Sequence, residues 1–114
     1  MDQALRERIE GILGGHKIVL FMKGTKSFPQ CGFSATVVEV LRRVEADFEA
    51  VNILADGELR QGMKEFSSWP TFPQLYVEGK LVGGCDIVRD MFTAGELQPL
   101  IDKAMGRAPA ASAS

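Results

Sequence analysis

Residues 17–44 read KIVLFMKGTKSFPQCGFSATVVEVLRRV. The first part, KIVLFM at 17–22, is a short unbroken apolar run, the pattern of a strand buried on both faces. At the far end, Phe33, Val37, Val40, Leu41 and Val44 recur at helical spacing, so a helix with one apolar stripe follows. Between them lie the loop KGTKSFPQ and then Cys31. A strand, a loop and a helix in this order place Cys31 at a helix N-terminus.

Working outward, Leu5, Ile9, Ile12 and Leu13 share a helical face upstream, and Gly14 with Gly15 ends that helix. Downstream, residues 48–53 form a second strand. Asp56 caps a helix that runs to about Phe66. Residues 74–78 and 80–82 are short strands joined tightly at Gly79, a hairpin pattern. Helices follow near 87–92 and 97–105, the latter accepting Pro99 only in its first turn. The βαβ unit implies two parallel strands with a right-handed crossover, and the hairpin adds an antiparallel pair. The expected fold is α/β and thioredoxin-like: a four-stranded mixed sheet flanked by about five helices.

Composition narrows the function classes. With 114 residues the chain suits one domain, and 46% hydrophobic with 25% charged residues is ordinary for a globular protein. The domain is expected over residues 1–107. Residues 108–114, Ala and Ser with one Pro, read as a disordered tail. A net charge of −2 gives no electrostatic case for nucleic acid or an anionic membrane. The apolar run at 18–22 is too short to span a bilayer. The N-terminus alternates charged and apolar residues without the apolar segment of a signal peptide. A reducing cytoplasm is therefore expected. Two cysteines, Cys31 and Cys85, do not make a secreted disulfide framework.

Cys31 is the candidate for chemistry. A sulfur at a helix N-terminus faces unpaired backbone N–H groups and the positive end of the helix dipole. Lys23 and Lys26 are expected to add positive charge. All of this favours thiolate, the form that attacks disulfides or binds metal. An inert buried cysteine would more often lie on the apolar stripe than at its leading end. The second thiol of a C-x-x-C pair is absent, because Ser34 occupies its place. Resolution of a mixed disulfide by a second thiol within this motif is therefore excluded. His16 is isolated and makes a poor metal-site candidate. Trp69, the only tryptophan, is read either as a rim residue or as a packing aromatic.

CGFS at 31–34 after FMKGT at 21–25, then WPTFPQLYV at 69–77, then GGCDI at 83–87, resembles the monothiol glutaredoxins of the CGFS type. Three blocks in this order are far more specific than CGFS alone. The resemblance covers about Ile9 to Ile101. It implies glutathione as ligand, with Lys23, Arg60, Phe72, Cys85 and Asp86 binding it beside Cys31. It also implies a cis bond between Phe72 and Pro73, leaving the Phe72 backbone free to pair with a peptide ligand. Lys23 and Arg60 suit the glycine carboxylate. Asp86 is expected as a helix N-cap, with its side chain available to the ligand's ammonium. Cys85 offers either a backbone contact or a resolving thiol, and the backbone role is preferred.

Two functions follow from the resemblance. One is an iron–sulfur carrier, in which Cys31 is a metal ligand. A 2Fe–2S cluster wants four ligands, usually thiolates. One Cys31 from each chain of a homodimer and two glutathione thiolates supply four. Such a carrier serves apo iron–sulfur proteins and pairs with BolA-like proteins. The other is a weak glutathione-dependent oxidoreductase that removes glutathione from protein mixed disulfides. The long KGTKSFPQ loop favours the carrier, because in the resembling family it accompanies weak oxidoreductase activity.

Overall fold

The strand over Ile18–Met22 (β1) is buried at every position, and its place in the sheet explains why. The computed structural model describes residues 1–108, so of the tail expected over 108–114 only Ala108 falls among the described residues. In the four-stranded sheet β1 pairs in parallel with Glu49–Asn52 (β2) and antiparallel with Gln74–Val77 (β3), which carries Lys80–Gly83 (β4) on its outer edge. A central strand covered on both faces needs apolar side chains in both directions. Ile18, Leu20 and Met22 enter one core and Val19 with Phe21 the other.

Five helices cover the two faces. Gln3–Gly15 (α1) and Gly57–Ser67 (α3) lie over the Val19 and Phe21 side. Gly32–Arg43 (α2), Cys85–Thr93 (α4) and Leu97–Ala104 (α5) lie over the other. Their apolar stripes meet the sheet through Leu5 and Ile9, Leu59 and Met63, Val37 and Leu41, Val88, and Leu97 with Ile101. The thioredoxin-like arrangement expected from the element order is therefore present.

Differences from the sequence reading are local. The second strand is shorter than 48–53: Phe48 packs into the core before it, and Ile53 opens a short 3₁₀ turn over Ile53–Ala55. Asn52 drives that change, since its Oδ1 accepts the Leu54 N–H at 3.0 Å and bends the chain out of the ladder. Asp56 caps α3 as expected, accepting the Leu59 N–H at 3.0 Å, and also accepts from Arg8 at 2.6 Å. Asp86 is not an N-cap. The extended Gly84 holds that position, so α4 starts earlier than the expected 87 and Asp86 falls in its first turn. The β3–β4 turn places Glu78 and Gly79 at φ +51° and +78°, the left-handed pair of a tight hairpin.

One clamp was not visible in the sequence. Arg107 donates to the carbonyls of Glu45 at 2.7 Å and Val44 at 2.9 Å, and to Asp102 Oδ1 at 2.8 Å. It joins the end of α2 to the end of α5, and the Asp102 carboxylate it meets is buried.

Candidate functional site

The carboxyl end of β1 runs through Lys23 into a loop that folds back on itself. Thr25 and Phe28 exchange backbone hydrogen bonds at 3.2 Å in each direction, and Gln30 N–H donates to Lys23 O at 2.9 Å. Gly24 and Pro29 form a bridge, so residues 24–29 make a miniature hairpin. Gly24 sits at φ +96°, and a Cβ there would collide with the Phe28 carbonyl oxygen and lie 2.6 Å from Gln30 N. Outside the loop, Gly24 N–H donates to Asn52 Oδ1 at 3.0 Å and Arg42 donates to Lys26 O at 3.2 Å. The Lys26 ammonium stands 4.1 Å from the centre of the Phe48 ring. Lys26 is thus directed to that ring and is not among the groups that shift Cys31, contrary to expectation.

This loop delivers Cys31 to the N-cap of α2 with an extended backbone (φ −152°, ψ 135°). Hydrogen bonding from the Ser34 N–H holds the Cys31 thiol below its ordinary value; partial burial opposes this, while the Phe33 N–H, the Lys23 charge and the Ser34 hydroxyl assist. The first turn of the helix therefore stabilises the thiolate. Ser34 itself is fully buried, and its Oγ accepts the Lys23 N–H at 3.1 Å. It ties the end of β1 to α2 beneath the sulfur.

Cys31 opens onto a cavity of about 520 Å³, within the 300–1,000 Å³ of typical small-ligand sites. Lys23, Cys31, Phe72, Cys85 and Asp86 all line it. Arg60 does not. It lies on α3, and its Nε is buried without a hydrogen-bond partner among the described residues. Phe33, Trp69, Thr71, Pro73, Gly84 and Ile87 complete the wall. Phe33 has the spacing of the α2 core stripe, yet it is 62% exposed. The first turn of α2 faces the cavity, and the stripe starts one turn later at Val37.

The wall over residues 69–73 ends in a cis bond between Phe72 and Pro73, as the resemblance implied. A Cβ on Gly84 would sit 3.3 Å from Pro73 O and 3.4 Å from Trp69 Nε1, so glycine permits this close packing. Trp69 is thereby a cavity wall and a packing aromatic at once. Cys85 is only 8% exposed, and burial pushes its thiol up; the Cys31 charge adds to that rise, so the two sulfurs sense each other. Asp86 pairs with Arg89 at 3.3 Å across an exposed turn.

A second hollow, of about 590 Å³, lies at the opposite end of the sheet around Glu10, His16, Phe66 and Glu78. It holds neither cysteine. Among the described residues no three His, Cys, Asp or Glu side chains gather as a metal site, and no helix is long and apolar enough to cross a membrane.

Residues 18–82 match the Glutaredoxin family. The chain is 57% identical over 101 residues to "Monothiol glutaredoxin-S7, chloroplastic" of Oryza sativa subsp. japonica, covering 89% of this chain and 60% of that protein. It thus spans about three fifths of the plant relative's length. It is 47% identical over 105 residues to an uncharacterized monothiol glutaredoxin, ycf64-like, of Synechocystis, covering 92% of this chain and 98% of that one. The solution structure of reduced poplar apo GrxS14 superposes with a TM-score of 0.79 at 57% identity, covering 90% of this chain and 94% of that chain.

Proposed function

The chain belongs to the glutaredoxin family, among its monothiol members, and from that premise we propose that it carries a glutathione-ligated 2Fe–2S cluster between proteins. One observation carries this reading. Cys31 is a single thiol held toward thiolate on the rim of a ligand-sized cavity, while the place of a second active-site thiol is taken by a buried hydroxyl. The donor set fits a shared cargo. Cys85 is buried and held as thiol, so the chain offers one available sulfur and a four-thiolate site must draw the rest from elsewhere. A symmetric pair of chains contributes two Cys31 sulfurs, and glutathione in each cavity contributes the other two.

Within this reading Lys23 neutralises a carboxylate of glutathione, and the Phe72 backbone pairs with the peptide. The first turn of α4 and Asp86 receive the γ-glutamyl end. Arg60 is a weaker candidate than Lys23, because it lies outside the cavity wall. Apo iron–sulfur proteins are the proposed recipients, a BolA-like protein a proposed partner, and a reducing cytoplasm the proposed compartment.

The depressed Cys31 thiol also favours a second reading, removal of glutathione from proteins. Cys31 thiolate attacks the glutathionyl sulfur of a mixed disulfide, releasing the protein thiolate. A second glutathione thiolate then attacks the new disulfide, freeing Cys31 and leaving oxidised glutathione. Anaerobic reconstitution with iron, sulfide and glutathione, followed by sizing, separates the two. The carrier reading expects a coloured dimer with about one iron and one glutathione per chain, lost in Cys31→Ser. A colourless monomer that turns over glutathionylated peptide with glutathione would overturn it in favour of the enzyme.

A further inference from the structure

Gln74 is the first residue of β3 and is fully buried in an otherwise apolar strand. Buried side-chain amides are retained where their hydrogen bonds are met, and both donor bonds of Gln74 are directed at the cavity wall. Its Nε2 donates to the carbonyls of Trp69 at 3.0 Å and Thr71 at 3.2 Å. Its Oε1 accepts the Tyr76 hydroxyl at 3.3 Å. Tyr76 lies two residues along the strand, on the same face of the sheet, and its ring is held edge-on against Phe21 at 5.6 Å. The two carbonyls can only accept, so they fix the NH2 end of the amide toward the wall and leave Oε1 to accept the Tyr76 hydroxyl. From the other side Ser67 Oγ accepts the Trp69 N–H at 3.0 Å.

We propose that Gln74 is a positioning residue for glutathione: it holds residues 69–72 as a rigid wall, so that the Phe72 backbone and the Trp69 ring meet the ligand in a preset geometry. The inference rests on the reading of this cavity as a glutathione site. Gln74 itself does not line the cavity, so it acts only through the loop. Burial pushes the Tyr76 hydroxyl up to about 12, which keeps it a donor at any working pH.

The test uses Gln74→Met, which keeps length and removes both donors, and Tyr76→Phe, which removes only the hydroxyl that Oε1 accepts. Trp69 is the sole tryptophan, so its fluorescence reports the wall directly. Expected for Gln74→Met are greater acrylamide quenching of Trp69 and glutathione affinity about tenfold weaker, as the loss of two modest hydrogen bonds predicts. Tyr76→Phe should move both readouts the same way by less. The pH profile of Cys31 alkylation should stay as in the wild type, because the groups that shift Cys31 lie on α2 and at Lys23. A general loss of fold would move that profile as well. Unchanged quenching and affinity within twofold in folded Gln74→Met would overturn the inference. If the wild type fails to bind glutathione, the functional reading falls, and Trp69 quenching alone still decides whether Gln74 holds the wall.

Discussion

Replacing Ser34 with alanine separates two duties that meet at one buried position. The hydroxyl accepts the Lys23 N–H and assists the Cys31 thiolate. Without it, the partly buried Lys23 N–H loses its acceptor. An unsatisfied buried donor costs about 1–3 kcal/mol, and the lower half of that range applies where water reaches one side. At about 4 °C per kcal/mol for a chain of this length, thermal unfolding should come about 4–8 °C earlier. The thiol should respond much less. The largest influence lowering it is the Ser34 backbone N–H, which alanine retains, and the hydroxyl is the smallest. The assays are circular-dichroism melting and the pH dependence of Cys31 alkylation, run in Cys85→Ser to leave one thiol. Ser34→Ala should melt earlier yet still alkylate below the ordinary thiol range. Alkylation shifted to the ordinary thiol range would show that the hydroxyl, not the helix backbone, makes the thiolate. An unchanged melting temperature would refute the anchoring role.

The two thiols should also differ in opposite directions. In the folded wild type a limiting alkylating agent at neutral pH should modify Cys31 alone, with Cys85 reacting only after unfolding; equal labelling by peptide mass spectrometry would contradict the burial of Cys85. Because Cys31 titrates below its unfolded value of 9.0, its contribution to stability grows as pH rises through the folded pKa and is complete above about 9. Melting of Cys85→Ser against the Cys31→Ser/Cys85→Ser double variant from pH 6 to 9 should show their difference growing with pH, and a constant difference would count against the shift. Arg107→Ala should destabilise by about 2 kcal/mol in urea unfolding, since hydrogen bonds to a charged group are each worth about 1.5–3 kcal/mol and this one is partly solvated; equal stability would show the clamp to be idle. Gly24→Ala should cost about 1–3 kcal/mol from left-handed strain alone, and a neutral result would mean the hairpin re-forms with another geometry.

What the sequence disclosed depended on the range of the interaction. β1 and α2 were legible because periodicity and apolar runs are written locally. The Asp56 cap was legible for the same reason. Asp86 misled because an acidic residue near a helix start suits either the cap or the first turn, and the extended Gly84 took the cap. Phe33 carries the right spacing for the core but sits where the first turn leaves the sheet for the cavity. Ser34 and Arg107 were missed as structural residues because their partners are 11 and 62 to 63 residues away and only the fold brings them together; the partners of Gln74 are near in sequence, but the irregular turn over 69–73 that folds them back on it has no periodic pattern. Gln74 offered one signal, an amide at the head of an apolar strand.

The miniature hairpin at residues 24–29 has a kinetic consequence. It is closed by its own backbone bonds, tied to Asn52 on one flank and Arg42 on the other, and weighted by Lys26 on the Phe48 ring. A segment restrained on both flanks makes a poor lid, since lids need hinges that absorb backbone rotation. Reagents should therefore reach Cys31 without waiting for an opening step. Its reaction rates should rise in proportion to reagent concentration without reaching a plateau, and the thiolate fraction, not loop motion, should set the clock.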